Sequence, residues 1–136
     1  MLVAVLGSNS SLILEGGNDL LQSMEFPESN APVFEYISHS PISIISDSAL
    51  SAFPGSGTPE DPYVIEGYNI TTTSSCSIYI SGTTKYFAIR NCYLRAENNG
   101  IGIANVAADT AKIINNICES NSLHGIYLYQ SHTLIF

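Results

Sequence analysis

A chain of 136 residues is long enough for one domain, and with 45 % hydrophobic residues it can bury a core. Only 12 % of residues are charged, so Asn, Ser and Thr carry most of the polarity, which is not the composition of a charged disordered tail. The net charge of −8 is unevenly placed, since residues 1–84 hold nine carboxylates and no Lys or Arg. Nucleic acid is therefore not expected as a partner, because neutralising phosphates needs clustered cations.

Taken in chain order, residues 1–38 read as an N-terminal extension. Leu2 to Leu6 is apolar but lacks a positive start, and one or two helical turns are expected at Asp19 to Met24. No apolar run approaches the roughly 18 residues of a membrane-spanning helix. Residues 39–62 read as a cap: Ile42-Ser43-Ile44 predicts a short strand, and Asp47 is placed to cap a helical turn running to Phe53. Pro54-Gly55-Ser56-Gly57 then ends that turn.

Residues 63–136 are organised by repetition. Ile65, Ile89 and Ile113 fall 24 residues apart, and Gly67, Asn91 and Asn115 keep the same spacing, as do Ile70, Leu94 and Cys118. A second apolar triplet recurs as Ile78-Tyr79-Ile80, Ile101-Gly102-Ile103 and Ile126-Tyr127-Leu128, spaced by 23 and then 25 residues. A period in the twenties, built from short β-branched runs divided by Asn, Gly, Ser and Thr, predicts a solenoid with one coil per repeat. Apolar and outward residues alternate within each run, as in a strand with one buried face. Stacked coils would then pair as parallel strands, with Ile65, Ile89, Ile113, Ile70, Leu94 and Cys118 in core columns. Asn91 and Asn115 would form a side-chain ladder of the kind seen in cross-β stacks.

The runs YFAIRNCYL (86–94) and AKIINNICESNSLHGIYL (111–128) resemble the repeat of right-handed parallel β-helix proteins. These include the pectin-lyase-like superfamily and especially the periplasmic copper-binding (NosD) type, whose repeat reads roughly I-x-N-N-x-I-x-x-N-x-x-G-I-x-L. The segment GSGTPEDPYVIEGYNI (55–70) looks like the lead into such repeats in many archaeal surface proteins. The resemblance covers about residues 39–136 and implies an all-β, right-handed parallel β-helix of about three coils behind a short strand and helix cap. It also implies export to the cell surface or beyond, which makes a damaged signal region the second reading of residues 1–38. Thr133-Leu134-Ile135-Phe136 looks like the start of a further coil, so a truncated array, or self-association through that end, is expected.

Three cysteines are an odd number without CxxC spacing. Cys118 reads as a small buried hydrophobe, and Cys92, in the column of Tyr68 and Asn116, is not its stacking neighbour, so no disulfide is expected between them.

Chemistry must come from outward positions. A lyase of the pectate type would need several carboxylates gathered on calcium and a basic residue beside them. The outward column after the first Ile holds only Glu66, Arg90 and Ile114, which predicts a cross-strand ion pair and no catalytic set. Glu97, Asp109 and Glu119 fall in different columns or loops, so no carboxylate pair suited to a hydrolase is located. Copper would need converging His, Met or Cys ligands; His124 and His132 lie in the last coil and His39 in the cap, which leaves the set incomplete. No catalytic, cofactor-binding or metal residues are therefore assigned, and no cofactor is expected.

Aromatic residues carry the functional signal. Tyr79 and Tyr127 share one outward column with Gly102 between them, and Tyr68 and Tyr93 lie elsewhere on the coil; these four are the candidate glycan contacts. Asn69-Ile70-Thr71 and Asn9-Ser10-Ser11 have the form of glycosylation acceptors. The sequence thus predicts a non-catalytic scaffold that touches polysaccharide. The alternatives are a piece of a polysaccharide lyase or glycoside hydrolase, and a copper-delivery protein.

Overall fold

The computed structural model describes residues 2–5, 11–14, 23–25, 35–119 and 122–136. The chain divides into two compact units, residues 1–34 and 35–136. In the first, strands β1 (Leu2–Val5), β2 (Ser11–Leu14) and β3 (Ser23–Glu25) form an antiparallel sheet in chain order, with Leu2 opposite Leu14 and Ser11 opposite Glu25. Residues 19–22 of the expected helical turn lie outside the described residues, and Ser23 to Glu25 are strand instead.

The second unit begins with β4 (Ile37–Ser38), β5 (Ile42–Ile44) and a short helix α1 (Asp47–Leu50). Three coils follow, each of three strands. The first is β6 (Tyr63–Glu66), β7 (Tyr68–Thr71) and β8 (Cys76–Ser81). The second is β9 (Phe87–Arg90), β10 (Tyr93–Arg95) and β11 (Asn99–Ala104). The third is β12 (Ala111–Ile114), β13 (Ile117–Cys118) and β14 (His124–Tyr129), after which β15 (Thr133–Ile135) opens a fourth. Corresponding strands pair in parallel into three four-stranded sheets: β4-β7-β10-β13, β5-β8-β11-β14 and β6-β9-β12-β15. The stack is a parallel β-helix with three faces, and it starts at Ile37, two residues before the cap boundary read from the sequence.

Register follows the repeat. Ile65 lies on Ile89 and Ile89 on Ile113; Ile70 lies on Leu94 and Leu94 on Cys118; Ile78, Ile101 and Ile126 make a third column, and Ile80, Ile103 and Leu128 a fourth. The side chains of the first two coils in these columns are fully buried, and burial of each contributes about 2 kcal/mol. Cys118 is only half-buried in its column, and burial pushes its thiol up to about 11. Cys76, Cys92 and Cys118 are all free thiols.

Two corners of each coil are set by backbone conformation. Gly67, Asn91 and Asn115 have φ of 77°, 52° and 51°, and Gly82, Asn105 and Gln130 have φ of 66°, 52° and 46°. Gly and Asn tolerate this left-handed region at the smallest steric cost, which is why they recur at these positions. The expected Asn91–Asn115 ladder is replaced by another arrangement. The Asn91 amide donates instead to Glu66 Oε1 at 2.9 Å, and backbone N–H groups link the corners, Asn91 N donating to Ile114 O at 3.1 Å. The asparagine that ties coil to coil is Asn116. Its Oδ1 accepts from Cys92 N at 2.9 Å and its Nδ2 donates to Ile89 O at 2.8 Å, supplying bonds where the turn interrupts the ladder.

Helix α1 closes the N-terminal end of the shaft, with Leu50 fully buried and Ala49 and Phe53 packed against the core. Its cap is Ser46, whose hydroxyl accepts from Ala49 N at 3.2 Å, not Asp47 as expected. Asp47 is the first helical residue, so its carboxylate is free to turn to the loop after β8. There it accepts from Thr83 Oγ1, from Thr84 N at 2.9 Å and from Thr84 Oγ1 at 3.0 Å. These bonds, the one from Thr83 foremost, hold the Asp47 carboxyl below its ordinary range.

Small residues stand near the starts of β8 and β11. Ser77 is fully buried there, with Oγ donating to Ile70 O at 3.2 Å, and Gly100 sits in the following coil. A Cβ added at Gly100 would lie 2.7 Å from Cys118 Sγ and 2.8 Å from Gly125 O. Gly100→Ala is therefore expected to lower stability by about 1–3 kcal/mol in denaturant titration, since the backbone oxygen cannot move aside alone. Ile89→Asn or Ile113→Asn adds an unsatisfied amide, a further penalty of about 1–3 kcal/mol, to the lost packing and should unfold the array. An unchanged melting temperature in either Asn variant would refute the stacking.

Candidate functional site

The face made by β5, β8, β11 and β14 carries the outward column Ser43, Tyr79, Gly102 and Tyr127, each residue paired with the next across the ladder. Parallel strands lie about 4.8 Å apart, which sets the backbones of Tyr79 and Tyr127 about 9.6 Å apart with Gly102 between them. Gly102 is what gives this column its shape. Its missing Cβ would stand 3.1 Å from Tyr79 Cδ2 and 3.2 Å from Cys76 Sγ, so a side chain there would press on the Tyr79 ring. Tyr127 stands more freely, 42 % exposed, with its ring 5.6 Å from that of His124.

These residues line an open groove of about 480 Å³ together with Pro41, Ile42, Ser43, Ser74, Ser75, Cys76 and Asn99. A polar row borders it. Cys76, Asn99 and His124 are in register, Asn99 Nδ2 lies 3.7 Å from Cys76 Sγ, and Asn99 Oδ1 lies 3.1 Å from His124 Nδ1. The groove therefore offers two aromatic rings, a row of hydroxyl and amide groups, and no charged side chain.

Tyr68 and Tyr93 are not part of this site. Both belong to the face of β4, β7, β10 and β13, but they occupy different columns, Tyr93 pairing with Asn69. Tyr68 packs against the core at a corner, with its ring 4.4 Å from that of His39. Tyr93 donates its hydroxyl to Glu119 Oε2 at 2.6 Å, and its ring lies 6.1 Å from that of Tyr36. Beside the Tyr groove, a second open groove of about 760 Å³ is lined by Thr71, Thr72, Thr73, Arg95, Ala96, Glu97 and Ser122, and it contains no aromatic ring.

Glu66 and Arg90 face each other on β6 and β9 and form an ion pair, Nη2 to Oε2 at 3.0 Å. Only one arm of the guanidinium is used, and Arg90 Nε is shielded from solvent without a hydrogen-bond partner. Arg90 first, and Asn91 after it, hold the Glu66 carboxyl below its ordinary value of 4.5. Both partners of Glu66 thus come from the next coil, which makes the carboxylate a link between coils. Among the described residues, no three His, Cys, Asp or Glu side chains converge as metal ligands, and no helix is long and apolar enough to cross a membrane. His39 Nδ1 lies 2.6 Å from Ser40 O, and His132 lines a shallow depression with Val106, Ala108 and Gln130.

The parallel coils and their stacked columns define a β-helix solenoid. Residues 30–136 match the family described as the right handed beta helix region, and the chain belongs to that family. No curated protein and no solved structure matches it.

Sequence reasoning placed Tyr79, Gly102 and Tyr127 in one column through the repeat, and missed Asn99 and Cys76. The signal for these two was present in the same spacing, since Cys76, Asn99 and His124 are 23 and 25 residues apart like the apolar triplet beside them.

The lowered Glu66 pKa carries a sign. Stability from the ion pair is complete above the ordinary value of 4.5 and is lost as pH falls through the lower folded value. The wild type is expected to melt above Glu66→Gln at neutral pH, with the gap closing as a thermal series is carried below pH 4.5. The gap should be small, because both side chains are more than a third exposed.

Proposed function

We propose that this protein is a non-catalytic β-helix scaffold, exported or displayed at a cell surface, that contacts glycans along the groove between Tyr79 and Tyr127. The observation that carries the reading is the outward column in which two tyrosines flank a glycine. A sugar ring presents apolar C–H faces and equatorial hydroxyls, so it pairs with an aromatic face and a border of polar groups. Ser43, Ser74, Ser75 and Asn99 supply that border. The uncharged lining favours neutral sugars over uronates, which would ask for a cation in contact. The reading is non-catalytic because Glu66 and Arg90, the acid and base on adjacent coils, are engaged with each other.

The test is retention of the protein on a panel of immobilised neutral and acidic polysaccharides, with reducing and unsaturated ends measured in the eluate. Retention on a neutral polymer without new ends is expected. Tyr79→Ala and Tyr127→Ala should each weaken it by about two- to tenfold, the scale of one aromatic stacking contact. No retention on any polymer, or cleavage of one, would overturn the reading.

A further inference from the structure

On the next face of the helix, Asn69-Ile70-Thr71 lies within β7, with Asn69 half-exposed and Thr71 exposed in the folded protein. Ile70 is fully buried in the core column, so its neighbours Asn69 and Thr71 are turned to the outside of the coil. Thr71 Oγ1 donates to Asn69 Oδ1 at 3.2 Å, which engages the amide oxygen. The amide nitrogen, Nδ2, makes no hydrogen bond to any described residue. Asn69 pairs with Ser38 on one side and Tyr93 on the other. Tyr36, at the start of the coil below, brings its ring within 6.1 Å of Tyr93 on the coil above, so two aromatic rings meet across the rung that carries Asn69. Glu119 holds the Tyr93 hydroxyl at 2.6 Å and fixes that ring.

From the triplet and this arrangement we infer, resting on the export proposed above, that Asn69 is an N-glycan acceptor and that the first sugar of that glycan rests beside the Tyr36–Tyr93 pair. The Asn-x-Thr triplet supplies the recognition element. The amide nitrogen attacks the anomeric carbon of a polyprenyl-diphosphate-linked oligosaccharide. An N–C bond forms as the C–O bond to the diphosphate breaks, the polyprenyl diphosphate leaves, and the amide proton passes to a base of the transferase. Transfer precedes closure of the second coil, because in the folded protein β7 is bonded to strands on both sides and Ile70 is inaccessible. After folding, the outward column accommodates the glycan without disturbing the shaft. Tyr93 then contacts a sugar that the chain itself carries, and not one taken from a ligand.

The full chain is expressed behind a signal peptide in a eukaryotic secretory host, with a C-terminal tag bearing an unstructured Asn-Gly-Thr triplet to report passage past the transferase. Peptides are released with and without enzymatic deglycosylation in heavy-oxygen water and read by mass spectrometry. A heavy Asp at position 69 is expected in most molecules, and Thr71→Ala should abolish it while the tag stays modified. Removing the glycan from the folded protein should lower the melting temperature by about 2–4 °C, and Tyr93→Ala should erase that difference while leaving occupancy unchanged. A modified tag with a bare Asn69 would overturn the acceptor site. A modified Asn69 whose removal leaves the melting temperature unchanged would overturn the Tyr36–Tyr93 contact.

Discussion

Like side chains stacked over like, at one strand spacing per coil, are what the molecule rests on. Each coil buries too little to stand alone, and the columns of Ile65-Ile89-Ile113 and Ile70-Leu94-Cys118 join neighbouring coils into one continuous core. The stacking requires every coil to turn at the same places, and the left-handed corners at Gly67, Asn91 and Asn115 and at Gly82, Asn105 and Gln130 provide this. A corner residue that refused positive φ would move the following strand out of its column. Backbone geometry at six residues therefore governs where the aliphatic side chains lie.

The division between faces follows from the same repeat. Inward positions are committed to packing, so recognition is left to the outward ones, and these differ from face to face. The β5-β8-β11-β14 face carries the groove between Tyr79 and Tyr127, uncharged throughout. The β6-β9-β12-β15 face carries the Glu66–Arg90 pair, whose charges neutralise each other. The remaining face carries Asn69 among Tyr36, Tyr93 and Glu119. The N-terminal opening of the shaft is closed by α1, and Asp47 fastens that helix to Thr83 and Thr84 in the loop after the first coil.

Much of this was legible because a repeat converts sequence spacing directly into spatial adjacency. Ile65, Ile89 and Ile113 share a column on the strength of a fixed period, and so do Tyr79, Gly102 and Tyr127. What could not be read depended on events within a turn. Asn91 and Asn115 looked like a side-chain ladder because Asn in register commonly stacks, but at these corners the left-handed backbone is what Asn supplies, and the amide of Asn91 is drawn to the carboxylate of Glu66. One residue further on, Asn116 makes the coil-to-coil bonds, a difference that spacing alone does not resolve. Asp47 and Ser46 show the same limit: both can cap a helix, and the choice was made by a partner, Thr83, distant in sequence. The start of stacking at Ile37 was hidden because β4 contributes only two residues, neither of them buried.

The glycine at position 102 has a consequence for how such a surface diversifies. Omitting one side chain from an outward column opens a notch one strand wide, and because the strands are evenly spaced, moving the omission to a neighbouring coil displaces the notch by a step of about 4.8 Å. The relief of this surface is then quantised. A gap can be shifted or widened by whole rungs through exchanges at solvent-facing positions, while the aliphatic shaft beneath keeps the same composition and the same fit.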